Sequence, residues 1–270
     1  MPAMEIIAVF ASGLLAGFFG ALVGLGGGVI MVPLLNLVFG LPIKMAVATS
    51  LCAVCATSIG GTARYLSKSL VDLRMGLFLE TTTIIGAISG GVIAIAIRPQ
   101  IVSVAFAAVL VYTSINMAVK IRRRDDANTG SGSNLISDVR RYVALGLSTL
   151  AGMVSAMLGV GGGVVQVPIL HLILRYPIKR AVATSTYMIG ITAASGTLVY
   201  FLAQLRGTAD HVLINYHYVA PLIIGTLSGS TLGAVVAGKL NANIIKVIFI
   251  IALLYAGLRI GLKALGIAFL

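Results

Sequence analysis

Charge is what this chain has least of. Only 10% of its 270 residues are Asp, Glu, Lys or Arg, whereas compact soluble domains carry about 25%. Hydrophobic residues make up 59% and the mean hydropathy is +1.08. A soluble globule has too little interior to hide that much apolar surface, so lipid is the expected solvent for most of the chain and no separate soluble domain is expected.

Other absences narrow the chemistry. The two cysteines, Cys52 and Cys55, lie three apart in one apolar stretch. Zinc takes four ligands and no third or fourth donor stands nearby, so they read as small packing residues and not as a disulfide or metal site. His211 and His217 have no metal-ligand spacing with other donors. A Gly-x-x-x-x-Gly-Lys loop is missing, which argues against a primary pump. An embedded enzyme needs a nucleophile beside a base, and Ser195-Gly196 with His171 are too thin a basis for one. Neither a catalytic group nor a cofactor is expected. The start, Met1-Pro2-Ala3-Met4-Glu5, has no basic residue before its apolar run and no small-residue cleavage site, so it reads as a first span and not as a cleaved signal.

Acidic residues are also few, 7 against 19 Lys and Arg, for a net charge of +12. In a soluble protein that balance suggests nucleic acid. Here the basic residues sit at the ends of apolar segments and in their loops, where they set orientation in the bilayer, and no nucleic-acid partner is expected.

Glycine is abundant, and its arrangement carries the most information. Gly24-Leu25-Gly26-Gly27-Gly28-Val29-Ile30-Met31-Val32-Pro33 returns 135 positions later as Gly159-Val160-Gly161-Gly162-Gly163-Val164-Val165-Gln166-Val167-Pro168. The match runs on without a gap. Pro42-Ile43-Lys44 meets Pro177-Ile178-Lys179, Ala46-Val47-Ala48-Thr49-Ser50 meets Ala181-Val182-Ala183-Thr184-Ser185, and Gly61-Thr62 with Tyr65 meets Gly196-Thr197 with Tyr200. A duplicated unit in so apolar a chain marks a transporter built from two repeats.

Apolar segments cover about 5–23, 29–40, 45–65, 75–97 and 101–119, then 142–158, 164–174, 181–202, 214–237 and 244–265. The second of each set is short, covering about 18 Å as helix, against a bilayer core about 30 Å thick. Irregular backbone at that depth survives only where protein or a water-filled cavity covers it, so both Gly-rich segments are expected inside the protein. Five segments per half would invert one half relative to the other. With the Lys120–Arg141 linker placed in the cytoplasm, inversion puts 14 basic residues on that side and 5 on the other, and a four-crossing tracing splits them less cleanly. The expected fold is an all-α integral membrane protein of two inverted-topology repeats. Residues 1–119 and 142–270 form the repeats, each of about five segments with a Gly-rich lead-in to the short second one. Residues 120–141, rich in Asp, Asn, Gly and Ser, form a flexible cytoplasmic connector. Small residues four apart, as at Gly13 and Gly17, Gly86 and Gly90, and Gly225, Gly229 and Gly233, read as helix-packing ridges.

The candidate site follows from the same repeat. Gly26, Gly27 and Gly28, with Gly161, Gly162 and Gly163, place peptide N–H groups at helix starts that no side chain blocks, a geometry suited to a small oxyanion; the alternative is that they only permit tight turns and close crossings. Thr49, Ser50, Thr184 and Ser185 can donate to a ligand or bond back to backbone. Asn36 corresponds to His171 and Met31 to Gln166, and polar side chains in a membrane segment tend to face a cavity or another helix. Glu80 is the one acidic residue well inside an expected span. It is a candidate for proton coupling, with pairing to Arg64 or Arg74, or a reach to the interface, as the alternatives. Lys44 and Lys179 read as snorkelling anchors or attractors at the mouths.

The doubled Gly-x-Gly-Gly-Gly-x-x-x-x-Pro followed by Pro-Ile-Lys-x-Ala-Val-Ala-Thr-Ser resembles the sulfite exporter TauE/SafE family of membrane permeases, over nearly the whole chain. The resemblance implies a multi-pass carrier of the cell inner membrane, usually an exporter, for sulfite, sulfoacetate or related sulfonates. It marks Gly24 to Gly28 with Pro33, Gly159 to Gly163 with Pro168, and Thr49, Ser50, Thr184 and Ser185. The expected partners are a small anionic substrate and the lipid bilayer, with a proton or other coupling ion and a second copy of the chain as further candidates. An anion channel of the same architecture is the nearest rival reading.

Overall fold

The computed structural model describes residues 3–23, 26–122, 138–207, 214–236, 242–264 and 266. Every element among them is helical. In the first half these are α1 (Ala3–Val23), α2 (Gly28–Pro33) running into a π-helical turn (Leu34–Val38), α3 (Ile43–Ser67), α4 (Leu73–Ala96) and α5 (Pro99–Arg122). The second half repeats the order: α6 (Asp138–Leu158), α7 (Gly163–Pro168) with its π-helical turn (Ile169–Ile173), α8 (Ile178–Leu205), α9 (Tyr216–Val236) and α10 (Ala242–Ala264). Each expected apolar segment has become a helix. Among the described residues α1, α3, α4, α6 and α8 are long and apolar enough to cross a membrane. Most of the linker, together with Gly24, His211 and Lys239, lies outside the described residues.

The two short helices are products of their flanking residues. Gly26 and Gly27 have φ of 76° and 78°, and Gly161 and Gly162 have 80° and 79°, a left-handed pair of turns that L side chains rarely adopt. They turn the chain sharply into α2 and α7. Pro33 and Pro168 then remove a backbone donor, and the ladder widens beyond them: Phe39 N–H donates to the Leu34 carbonyl at 3.3 Å and Leu174 N–H to that of Ile169 at 3.1 Å. The 6-residue α2 with its 5-residue π-helical turn rises roughly 16 Å, half the hydrocarbon thickness.

The halves interlock by exchange. α1 of the first half packs in parallel on α9 of the second, and α6 of the second packs in parallel on α4 of the first. Glycines make both contacts close. A Cβ at Gly17 would stand 2.8 Å from the Thr226 Cα, and one at Gly86 or Gly152 would overlap the Thr149 or Thr83 carbonyl oxygen. At the centre α3 crosses its repeat counterpart α8. Leu51 meets Gly196, and Ser58, later in α3, meets Gly190 and Thr186, earlier in α8, so the two run antiparallel. Val47, Leu51, Val54, Ile189 and Ala193 are fully buried around this crossing, while Ile85, Ile88, Val92, Ile224, Leu232 and Ile251 are exposed. An apolar exterior of this kind suits lipid.

Candidate functional site

The two glycine turns meet where α3 and α8 cross. Gly26 and Gly161 both rest against Val54 of α3 and Ile189 of α8. Gly28 abuts the carbonyl of Gly159 so closely that a Cβ would overlap it, and the Cα of Val160 would be 3.0 Å away. Ser50 joins the cluster, with Oγ 2.9 Å from the carbonyls of both Gly159 and Val47. Gly27 is packed on the Ala16 carbonyl of α1, and Gly162 on Gln166 and Ser155. Gly26 to Gly28, Gly159, Gly161, Gly162 and Ser50 thus come together from both halves, with Gly163 following as the first residue of α7.

The remaining hydroxyls and amides are engaged with backbone, in matched pairs. Thr184 Oγ1 accepts from Asp72 N–H at 3.0 Å, and Thr49 Oγ1 accepts from Asn215 N–H at 3.4 Å. Each threonine therefore holds the residue preceding α4 or α9. Asn36 Nδ2 donates to the Leu41 carbonyl at 2.7 Å, while His171 Nδ1 lies 2.8 Å from the Tyr176 carbonyl and so carries the hydrogen there. These two side chains pin the loops after the π-helical turns. Ser185 Oγ donates to the Val182 carbonyl within its own helix.

Glu80 has a different surrounding from either alternative raised by the sequence. It is 1% exposed, so it does not reach the interface, and among the described residues no Arg64 or Arg74 contact or other ion pair neutralises it. Gln166 Nε2 donates to its Oε1 at 3.2 Å, and Thr192 Oγ1 lies 3.1 and 3.2 Å from its two oxygens. Helix α4 thereby reaches α7 and α8 of the other half. Thr192 escaped the sequence reading because hydroxyls inside helices usually bond back to the preceding turn, which this one also does, at 3.1 Å from the Met188 carbonyl.

Also unforeseen is a clasp between the starts of α4 and α8. Asp72 caps α4 by accepting from Met75 N–H at 3.0 Å, accepts from Tyr176 OH at 2.7 Å, and pairs with Arg180 at 3.9 Å. Arg180 in turn lies over the Tyr176 ring. Partial burial pushes the Asp72 carboxyl upward, but these donors and the Arg180 charge outweigh it and hold it below its ordinary value. Lys44 Nζ donates to the Ile95 carbonyl at 2.7 Å, fastening the start of α3 to the end of α4. A cavity of about 210 Å³ is lined by Tyr112 and otherwise by apolar side chains, among them Val164, Pro168, Ile169 and Leu172, a lining poor in the convergent polar groups of a ligand site.

Sequence comparisons identify relatives of this chain. The family described as Sulfite exporter TauE/SafE matches residues 9–260. The chain is 26% identical to the probable membrane transporter protein YunE of Bacillus subtilis over 277 residues, covering 95% of this chain and 97% of that protein. It is 28% identical to a probable membrane transporter protein of Methanocaldococcus jannaschii over 247 residues, 87% of each. Another, from Haemophilus influenzae, is 26% identical over 267 residues, 93% of this chain and 96% of the other. No solved structure matches the chain. With the family spanning nearly the whole sequence and these three relatives each named a probable membrane transporter, this multi-pass helical protein belongs to the sulfite exporter TauE/SafE family of membrane transporters.

Proposed function

We propose that the protein is a secondary carrier of the inner membrane that exports a small sulfur-containing anion, such as sulfite or an organosulfonate, by alternating access between two inverted halves. The observation that carries this reading is the meeting of both glycine turns at the α3–α8 crossing. Repeat-equivalent helices that cross antiparallel are related by an axis perpendicular to their length. For membrane-spanning helices that axis lies in the membrane plane, the relation expected of inverted repeats. The excess of basic residues on the linker side supports the same arrangement.

In this conformer the Gly159 carbonyl and the Val54 and Ile189 side chains fill the space beside the glycine backbone. A substrate anion takes that space when the halves part, with the amides at the starts of α2 and α7 and the Ser50 hydroxyl as donors. The Val54–Ile189 plug also favours a carrier over an open pore. The test is flux in proteoliposomes against sulfite, thiosulfate, sulfoacetate, sulfate and chloride, with and without a pH gradient. Saturable transport of a sulfur anion, with chloride and sulfate poor competitors, is the expected result; absence of saturable flux for every sulfur anion sinks the substrate assignment.

A further inference from the structure

Glu80 lies seven residues into α4, about 10 Å along the helix, in a setting built from both halves. The bonding within it has fewer hydrogens than contacts. Thr192 has a single hydroxyl hydrogen, yet Glu80 Oε1, Glu80 Oε2 and the Met188 carbonyl all lie between 3.1 and 3.2 Å from its oxygen. If all three neighbours only accept, two of those contacts stay empty. A proton on Glu80 Oε2 turns that atom into a donor to Thr192 Oγ1. The Thr192 hydrogen is then free for Met188, while Gln166 Nε2 still donates to Glu80 Oε1. Close by, Ser155 Oγ and Gln166 Oε1 are buried with no hydrogen-bond partner, and both side chains flank Gly162.

Among the described residues no charge balances a carboxylate at this place. On α4 itself Arg74 is exposed. On α6, Asp138 and Arg141 pair with each other at 3.9 Å, Tyr142 is exposed and Arg140 half-exposed. His171 is bound to the Tyr176 carbonyl, Arg180 to Asp72, Lys179 is exposed, Tyr187 packs on Gly76, and Tyr200 donates to the Ala156 carbonyl. Burying an ionised carboxylate with only neutral donors is strongly unfavourable.

We propose that Glu80, Gln166 and Thr192 form a proton-binding site, in which a proton taken up by the Glu80 carboxylate sets how tightly α4 of one half holds α7 and α8 of the other. Gln166 sits on α7 three residues beyond Gly163, so the proton is read directly at one of the two glycine turns. The first half has Met31 where the second has Gln166, so the proton is read at the second turn alone. Coupling of the proton to substrate movement rests on the carrier reading above, whereas proton binding itself does not.

Infrared spectroscopy of the full chain in lipid tests the site without any substrate. The expected result is a protonated-carboxyl carbonyl band that titrates reversibly, is missing in Glu80→Gln, is kept in Glu5→Gln, and shifts in Thr192→Val and Gln166→Leu as its hydrogen-bond partners go. A band unchanged in Glu80→Gln overturns the proposal. So does a wild-type band that falls when sodium replaces choline at fixed pH, since the site would then take a metal cation. In proteoliposomes, sulfite accumulation driven by a pH gradient is expected to fall about tenfold or more in Glu80→Gln, and accumulation equal to wild type overturns the coupling. Should wild type carry no sulfite, the carrier reading fails for that anion and the infrared result alone decides the site.

Discussion

Asp72 carries three tasks with one carboxylate: it caps α4, accepts from Tyr176 and faces Arg180, so one side chain of the first half fastens the approach to α8 in the second. Its folded-state carboxyl is held below the ordinary value. The ionised form therefore stabilises the fold above the usual carboxylate range, and that contribution is lost as pH falls through the depressed value. Asparagine caps helices as well as aspartate does, but it cannot balance Arg180 or titrate. Thermal unfolding of the purified chain should thus separate the roles. Asp72→Asn is expected to remove the acid-side loss of stability with a modest cost at neutral pH. Asp72→Ala loses the cap too, for about 1 kcal/mol more. Equal midpoints for the two variants would mean that the cap contributes nothing. In the other half the corresponding residue before α9 is Asn215, whose Oδ1 accepts from His217 N–H at 3.2 Å; that end keeps the cap and omits the charge.

Helix by helix, the glycine ridges decide how close the halves come. A Cβ at Gly86 or Gly152 would run into backbone carbonyls of the facing helix, which cannot turn aside, whereas one at Gly91 would meet the Val199 side chain at 3.0 Å and one at Gly146 meets nothing. Alanine at Gly86 or Gly152 should cost about 1–3 kcal/mol through overpacking, Gly91→Ala less, and Gly146→Ala should be neutral or stabilising by up to about 1 kcal/mol, because helical glycine is entropically costly. Thermal midpoints in detergent would rank the four, and a drop at Gly146 matching that at Gly86 would refute steric packing as the cause. These ridges were legible from spacing alone, as were the helices and the two short segments, because small residues four apart and long apolar runs are local signals. The π-helical turns after Pro33 and Pro168 were not, since an apolar stretch looks the same whether its ladder closes four or five residues back. The Glu80–Gln166–Thr192 contact was hidden for a further reason. Its members are 26 to 112 positions apart in sequence, and only the packing of α4 across α7 and α8 brings them together. Asn36 and His171 were visible as polar residues in apolar segments, but the pattern held no hint that each would pin the loop that follows it.

For the molecule as a whole, the central question is whether the α3–α8 crossing moves. A pore that conducts in one conformation has no need to part there, while a carrier must, because the glycine turns meet behind Val54 and Ile189. Ser58 offers a handle: its Oγ donates to the Thr186 carbonyl at 2.6 Å, and its Cβ lies 3.1 Å from the place a Cβ would take at Gly190. That is near the roughly 3.5–4.5 Å spanned by disulfide Cβ atoms, so cysteines at 58 and 190 can be joined with a small adjustment of the helices. In a background with Cys52 and Cys55 replaced by Ser, oxidising Ser58→Cys with Gly190→Cys should lock the halves in the observed conformer. Anion flux in proteoliposomes is then expected to fall about tenfold or more and to return on reduction. Each single cysteine variant under the same oxidant controls for damage elsewhere. If flux persists while mass spectrometry confirms the bond, the crossing is static and the protein conducts by a route that leaves it closed; if flux stops and recovers with the bond, the two halves work by separating where their repeated glycines meet.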